Sequence, residues 1–298
     1  MPSSMLVAAL QPKGCMEDLA VNEAAVCAAL AAAAAASVKL AVLPELAMLP
    51  YFCAEPAGSR CDWAVSIDAD VLARVAAHCA SLGIAALLPF YEWDPDGPGY
   101  NSAVLIGADG RLVPGAGLQG SGRVARKLHL PSGPDADEAG HFRPGADLRV
   151  FDLGGLRLGC LICYDRRFPE AWRALRALGA DLVAVPVAGL SGEDDAFVLG
   201  ELRTHARENG LAVIYASRAG EDRLAGTSIP QPGGSCVIAA DGTVLARSAV
   251  GAAATAGMAV AAIERADIER ARATLPLFER RHPILTQGFI TPGIRIEA

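Results

Sequence analysis

Apolar positions along this chain cluster in short runs set between longer stretches where they recur at helical spacing. Val7-Ala8-Ala9-Leu10, Leu40-Ala41-Val42-Leu43 and Leu156 to Ile162 are near-continuous, the pattern of strands buried on both faces. The pattern predicts strands over 6–11, 39–43, 84–89, 102–107, 123–128, 148–152, 156–162, 181–186, 212–216, 235–240, 243–247 and 257–263. Helices are predicted over 17–36, 69–82, 169–178, 195–209 and 267–274, three of them closed by Gly83, Gly179 and Gly210. Asp109-Gly110 and Asp241-Gly242 mark tight turns. Strands alternating with helices define an α/β fold with mixed strand directions. Ala24 to Ala36, mostly alanine, is too short to span a bilayer and is expected as a buried helix. From Pro276 the periodicity is lost, and 276–298 reads as an arm lying on the body or on a second subunit.

Composition narrows the function classes. A chain of 298 residues, 52% hydrophobic and 20% charged, is ordered and can bury one large core, so 1–298 is read as one domain. A formal charge of −7 argues against nucleic acid and anionic membranes as partners and leaves a small molecule. The first residues lack a basic segment before an apolar one, so no signal peptide is read and a cytoplasmic location is expected. The eight cysteines lie mainly in apolar segments without disulfide-scaffold density, which favours reduced thiols.

Cys163 carries the strongest chemical signal. It stands where the run ending at Ile162 breaks into Cys163-Tyr164-Asp165-Arg166-Arg167-Phe168, before Pro169-Glu170 opens a helix. A strand-to-helix elbow lifts the side chain off the sheet edge beside free N–H groups, and the helix N-terminus is expected to lower the thiol's pKa. A nucleophile there needs a base and an oxyanion partner. Histidines 78, 129, 141, 205 and 282 show no metal-ligand spacing; His129 is read as structural. Glu45, delivered by Pro44 at the end of strand 39–43, is a candidate base, although a solvated loop acid is the common alternative. Lys127 ends a short alternating segment and otherwise reads as an edge-strand lysine facing water. Gly115 to Gly120 satisfies GxGxxG, but no helix follows, so a flexible loop is read there. Cys160-Leu161-Ile162-Cys163 lies within a strand and lacks the second pair of a zinc site.

Leu43-Pro44-Glu45-Leu46, Arg126-Lys127-Leu128-His129-Leu130-Pro131 and the Cys163 segment together resemble the nitrilase superfamily of carbon–nitrogen hydrolases. Phe142-Arg143-Pro144-Gly145, Arg207-Glu208-Asn209-Gly210 and Gly226-Thr227-Ser228 add to the likeness, which runs from about residue 6 to 248. The resemblance implies a four-layer α-β-β-α sandwich, assembled as a homodimer or a larger oligomer. It implies that Glu45 acts as base, Cys163 as nucleophile and Lys127 as oxyanion partner, without metal or organic cofactor. Glu138, or else Asp135 or Asp137, matches a second glutamate that orients the lysine. Among relatives acting on N-carbamoyl amino acids, arginines placed like Arg166 and Arg167 hold the substrate carboxylate; the alternative is that Asp165 pairs with one of them to brace the elbow. Tyr164 and Tyr51 are expected at the substrate. The segment Pro50-Tyr51-Phe52-Cys53 resembles carbamoylputrescine-type amidases. The implied activity is hydrolysis of small amides or N-carbamoyl compounds through a thioester with release of ammonia; a nitrilase or a non-catalytic binder is the alternative.

Overall fold

The computed structural model describes residues 4–133, 136–188 and 193–282. In chain order the elements are β1 (Ser4–Gln11), α1 (Leu19–Ala35), β2 (Leu40–Val42), α2 (Asp70–Leu82), β3 (Ala85–Glu92), β4 (Tyr100–Ile106), β5 (Leu112–Val113), β6 (Gly115–Gly117), β7 (Gly120–Gly122), β8 (Val124–Arg126), β9 (Val150–Asp152) and β10 (Arg157–Cys160). The second half continues with α3 (Pro169–Ala177), β11 (Leu182–Val187), α4 (Asp195–Asn209), β12 (Ala212–Ser217), β13 (Ala219–Leu224), β14 (Thr227–Pro232), β15 (Cys236–Ile238), β16 (Val244–Arg247), β17 (Gly257–Glu264) and α5 (Arg265–Thr274).

Two sheets result. One is ordered β17-β1-β2-β3-β4-β5, with β8 also on β4; the other runs β16-β15-β12-β11-β10-β9-β6-β7. Each has a parallel centre, β1-β2-β3 and β10-β11-β12, flanked by antiparallel strands. Side-chain alternation explains the continuous apolar runs. Val7, Ala9, Leu40 and Val42 of the first sheet share one core with Leu158, Leu182, Ala184 and Ile214 of the second. Their neighbours Ala8, Leu10, Ala41 and Leu43 pack outward against Val26 and Leu30 of α1 and Val75 of α2. Leu161, Val183 and Val213 meet Trp172 and Leu175 of α3 and Leu202 of α4. The layers are therefore α-β-β-α, as expected, and each fully buried Leu or Val contributes about 1.5–3 kcal/mol.

Three readings need correction or extension. The alanine-rich helix α1 is a surface helix that buries only Asn22, Val26, Leu30 and Ala33, because alanine's helix propensity asks for little burial. The stretch from Gly115 is a hairpin, β6-β7, that joins the second sheet through β9. Its glycines permit close packing, since a Cβ at Gly115 would fall 2.9 Å from the Phe151 ring. The β13-β14 hairpin went unpredicted because Gly220-Glu221-Asp222-Arg223 has no apolar alternation; its turn is made by Ala225 and Gly226, both at positive φ. Of the expected arm, Arg176 of α3 meets Glu279 at 2.9 Å and lies over Phe278, while 283–298 falls outside the described residues. All eight cysteines are unpaired, and no helix among the described residues is long and apolar enough to cross a membrane.

Candidate active site

Residues of β2 and β10 share one core between the two sheets, and Glu45 and Cys163 each follow the carboxyl end of one of these strands, with the Glu45 carboxylate within electrostatic reach of the thiol. Pro44 ends the β2 segment and Leu46, at φ +47°, turns the chain sharply after Glu45. After β10 the chain enters a 3-10 turn over Cys163–Arg167 that leads to Pro169 at the start of α3. Cys163 itself sits at φ +49°, a costly conformation for a residue with a Cβ, and the elbow forces it. At Gly159, a Cβ would fall 2.8 Å from Leu175, so glycine lets α3 pack against the strand that leads to Cys163.

Lys127 follows β8 and is buried completely, not facing water. Its Nζ donates to Glu45 Oε1 and to Glu138 Oε1, both at 2.7 Å, and all three side chains are at most 1% exposed. Asn101 Nδ2 donates to the same Glu45 oxygen at 2.7 Å, and the Ala188 N–H donates to Glu45 Oε2 at 2.8 Å. Tyr51 OH donates to Glu138 Oε1 at 3.0 Å, while Glu138 Oε2 is buried without a partner among the described residues. Glu138 is thus the acid beside the lysine. Asp137 instead takes a hydrogen bond from Ser132, and Asp135 lies outside the described residues. Phe52, Tyr91 and Phe142 pack in one core with Tyr51, their ring centroids 5.0–5.7 Å apart.

Electrostatics couples these groups. Burial opposes the Lys127 charge, yet Glu138 and Glu45 outweigh it and hold the ammonium well above its ordinary pKa. Burial pushes Glu138 up to about 7, against the pull of Lys127. The expected lowering of the Cys163 thiol is reversed: burial first, then the Glu45 anion, raise it beyond what Lys127 and Arg166 offset. The helix-terminus field is too small to overcome desolvation. The thiol therefore forms thiolate less readily than a free cysteine.

The elbow is braced, but not by an Asp165–arginine pair. Asp165 accepts from the N–H groups of Leu128, His129 and Ile162 and meets His129 Nδ1 at 2.8 Å, locking the lysine segment to the cysteine segment. His129 also stacks on Phe168 at 3.6 Å, a structural place. Arg166 is buried. Its Nη1 donates to the Cys163 carbonyl at 3.2 Å and its Nη2 to Glu193 at 2.5 Å, and Arg167 binds the other Glu193 oxygen. Tyr164, half-buried, packs edge-on against Phe168 at 5.4 Å with Arg167 over its ring. Tyr51 reaches the cluster through Glu138.

Sequence reading missed Asn101, Arg218 and Asp222. Arg218 and Asp222 are fully buried and paired at 2.6 Å. Arg218 Nη2 binds the Glu45 carbonyl and, at 2.8 Å, that of Leu46; Asp222 accepts from Tyr51 N at 2.8 Å and Cys15 N at 2.6 Å. One ion pair thus holds both ends of the Glu45 loop. The available signal was an arginine placed two residues after the apolar run Leu211 to Ala216, with an acid four residues on.

The sequence profile of the carbon-nitrogen hydrolase family matches residues 6–273, and the chain belongs to that family. It is 29% identical over 224 residues to an N-carbamoylputrescine amidase of Solanum tuberosum, covering 72% of this chain and 71% of the relative. It is 30% identical over 231 residues to a deaminated glutathione amidase of Mus musculus, covering 74% and 66%. Among solved structures, an amidase from Nesterenkonia sp. superposes with a TM-score of 0.76 at 25% identity, over 97% of this chain and 98% of that one. A variant of that amidase carries the acetamide moiety of fluoroacetamide covalently on its active-site cysteine. The protein is a carbon–nitrogen hydrolase with amidase and carbamoyl-amidase relatives.

Proposed function

We propose that the chain hydrolyses small linear amides or N-carbamoyl compounds through a thioester on Cys163. The reading rests on the buried Glu45–Lys127–Glu138 cluster set at the cysteine elbow. Glu45 takes the thiol proton as sulfur attacks the carbonyl carbon. The oxyanion forms against Lys127 Nζ and an N–H of the 3-10 turn just after Cys163. As the C–N bond breaks, Glu45 returns the proton to the leaving ammonia or amine. Water, deprotonated by Glu45, then adds to the thioester; the C–S bond breaks and the thiol is restored. Glu138 keeps Lys127 charged and in place. Intact-mass analysis after rapid mixing, alongside ammonia release from matched ω-amides, carbamoyl compounds and nitriles, tests this. An acyl mass on the Cys163 peptide is expected during turnover, and ammonia release with no such adduct and no effect of thiol blocking would sink it.

The pH profile follows from Glu138. Its carboxyl is pushed up to about 7, so it is neutral below that pH and charged above it. Protonation leaves Lys127 with Glu45 alone, tightening the pair that must loosen for Glu45 to act as base. We therefore expect kcat/KM to fall about tenfold per unit as pH drops below about 7. Glu138→Gln should be slow throughout and lose that limb; an unchanged limb would assign it to another group.

A further inference from the structure

Strand β4 breaks its own pattern at one position. Leu105 and Ala103 point into the core between the two sheets, and alternation puts Asn101 next in that row, opposite Tyr91 of β3. Burial there calls for an apolar side chain, yet Asn101 is an amide at 0% exposure. Its Nδ2 donates to Glu45 Oε1 at 2.7 Å, while its Oδ1 is buried without a partner among the described residues. Turning the amide around cannot mend this, because a carboxylate only accepts and Nδ2 must face it. A buried acceptor left unpaired lowers stability, whereas an apolar group of the same shape would not. Asn101 is therefore a poor choice for the fold, and the hydrogen bond its side chain does make runs to Glu45.

That bond divides the two oxygens of the Glu45 carboxylate. Each oxygen has about two acceptor sites. Oε1 fills both, with Lys127 Nζ and Asn101 Nδ2, each at 2.7 Å. Oε2 fills one, with the Ala188 N–H at 2.8 Å, and keeps the other open among the described residues. The Asn101 main chain binds the same cluster, its carbonyl accepting from the Lys127 N–H at 2.8 Å. This second bond belongs to the backbone and survives any substitution at 101, so side-chain variants isolate the contact with Glu45.

We propose that Asn101 is a positioning residue of the hydrolysis: beside Lys127 it saturates Glu45 Oε1 and leaves Oε2 as the oxygen that carries protons. The Cys163 thiol gives its proton to Oε2 as the C–S bond forms, and Oε2 returns it to the nitrogen as the C–N bond breaks. Oε1 stays tied to the lysine throughout. The inference rests on the hydrolase reading and deepens it by giving the two oxygens separate tasks. Without the amide, Oε1 regains an open site and the carboxylate is free to turn about its bond to Lys127, so fewer encounters with the thiol are aligned.

Ammonia release from butyramide, butylurea and their ω-amine and ω-carboxylate analogues, read beside Tm, tests it. Asn101→Leu should melt no lower than wild type, because it removes an unpaired buried acceptor, yet lose roughly 10- to 100-fold in kcat with KM within about threefold. Adding Asn101→Leu to Glu45→Gln should cost less than about threefold more, since the carboxylate it acts through is gone. Asn101→Asp supplies a donor only while the new carboxyl is protonated. Burial and the Glu45 anion raise the pKa of that carboxyl, so the donor is present below it and lost as pH rises through it. The rate of Asn101→Asp relative to wild type should accordingly be highest at low pH, a ratio in which the Glu138 limb cancels. A Tm that drops together with kcat, a loss repeated in full on Glu45→Gln, or a pH-independent Asn101→Asp ratio would each overturn the inference. That ratio decides alone if Asn101→Leu does not fold. Ammonia release that Glu45→Gln abolishes but Asn101→Leu leaves within about threefold would overturn the inference and spare the hydrolase reading. No ammonia from any compound, or release that survives Glu45→Gln, would discard both.

Discussion

Glu45→Gln is expected to lower kcat by roughly 10²–10⁴-fold while leaving Cys163 open to alkylation, and Cys163→Ala to bring ammonia release to background. The two effects of Glu45 separate because it acts on the thiol in opposite ways. As an anion it is the largest influence after burial that raises the thiol's pKa, so removing its charge makes thiolate easier to form. As the proposed base it takes the thiol proton, hands one to the leaving nitrogen and activates water. Alkylation by iodoacetamide needs only thiolate, whereas turnover needs every proton transfer. Steady-state ammonia release and alkylation rates across pH, measured on the same preparations, read the two roles apart. Turnover within about threefold of wild type would remove Glu45 from the chemistry. Alkylation that fell in step with turnover would show instead that the variant had collapsed the site.

Much of the site was legible because its groups sit where strands end. Leu40 to Leu43 and Leu156 to Ile162 announce buried strands by their apolar runs, and Pro44 and Pro169 mark where each is followed by a change of direction. Glu45 and Cys163 stand at those breaks, so order along the chain anticipates proximity in space. Lys127 was placed by motif alone. Nothing in its alternating segment says that two carboxylates from separate loops will close over it. What stayed hidden is what depends on packing between distant segments. Asp165 looked like an arginine's partner because the arginine was adjacent in sequence, yet its oxygens are taken by the amides of Leu128 and His129, 36–37 residues away, and of Ile162. The thiol's pKa misled for the same reason: a helix terminus is visible in sequence, and the desolvation that outweighs it is not. Helix α1 shows the reverse error, since alanine reads as apolar while contributing so little area that the helix stays outside.

Arg218→Met is expected to be the most destabilising single change, costing about 3–5 kcal/mol and lowering Tm by roughly 5–15 °C. Arg218 and Asp222 are both 0% exposed, and removing the guanidinium leaves Asp222 charged in the interior with only the Tyr51 and Cys15 amides and Gln231 as partners. The carbonyls of Glu45 and Leu46 lose their donor in the same step, just where Leu46 is held at φ +47°. Replacing both charges, Arg218→Met with Asp222→Leu, should recover part of the lost stability, because an apolar pair leaves no unpaired ion buried. Activity should not return with it. The Glu45 loop is shaped by hydrogen bonds to Arg218 and Asp222 that methionine and leucine cannot make, so the double variant is expected to melt higher than Arg218→Met yet remain slow in kcat. Calorimetric melting and steady-state rates on the single and double variants test this. Recovery of rate together with stability would show that the pair serves the fold alone and that Glu45 is positioned by Lys127, Asn101 and the Ala188 amide without it.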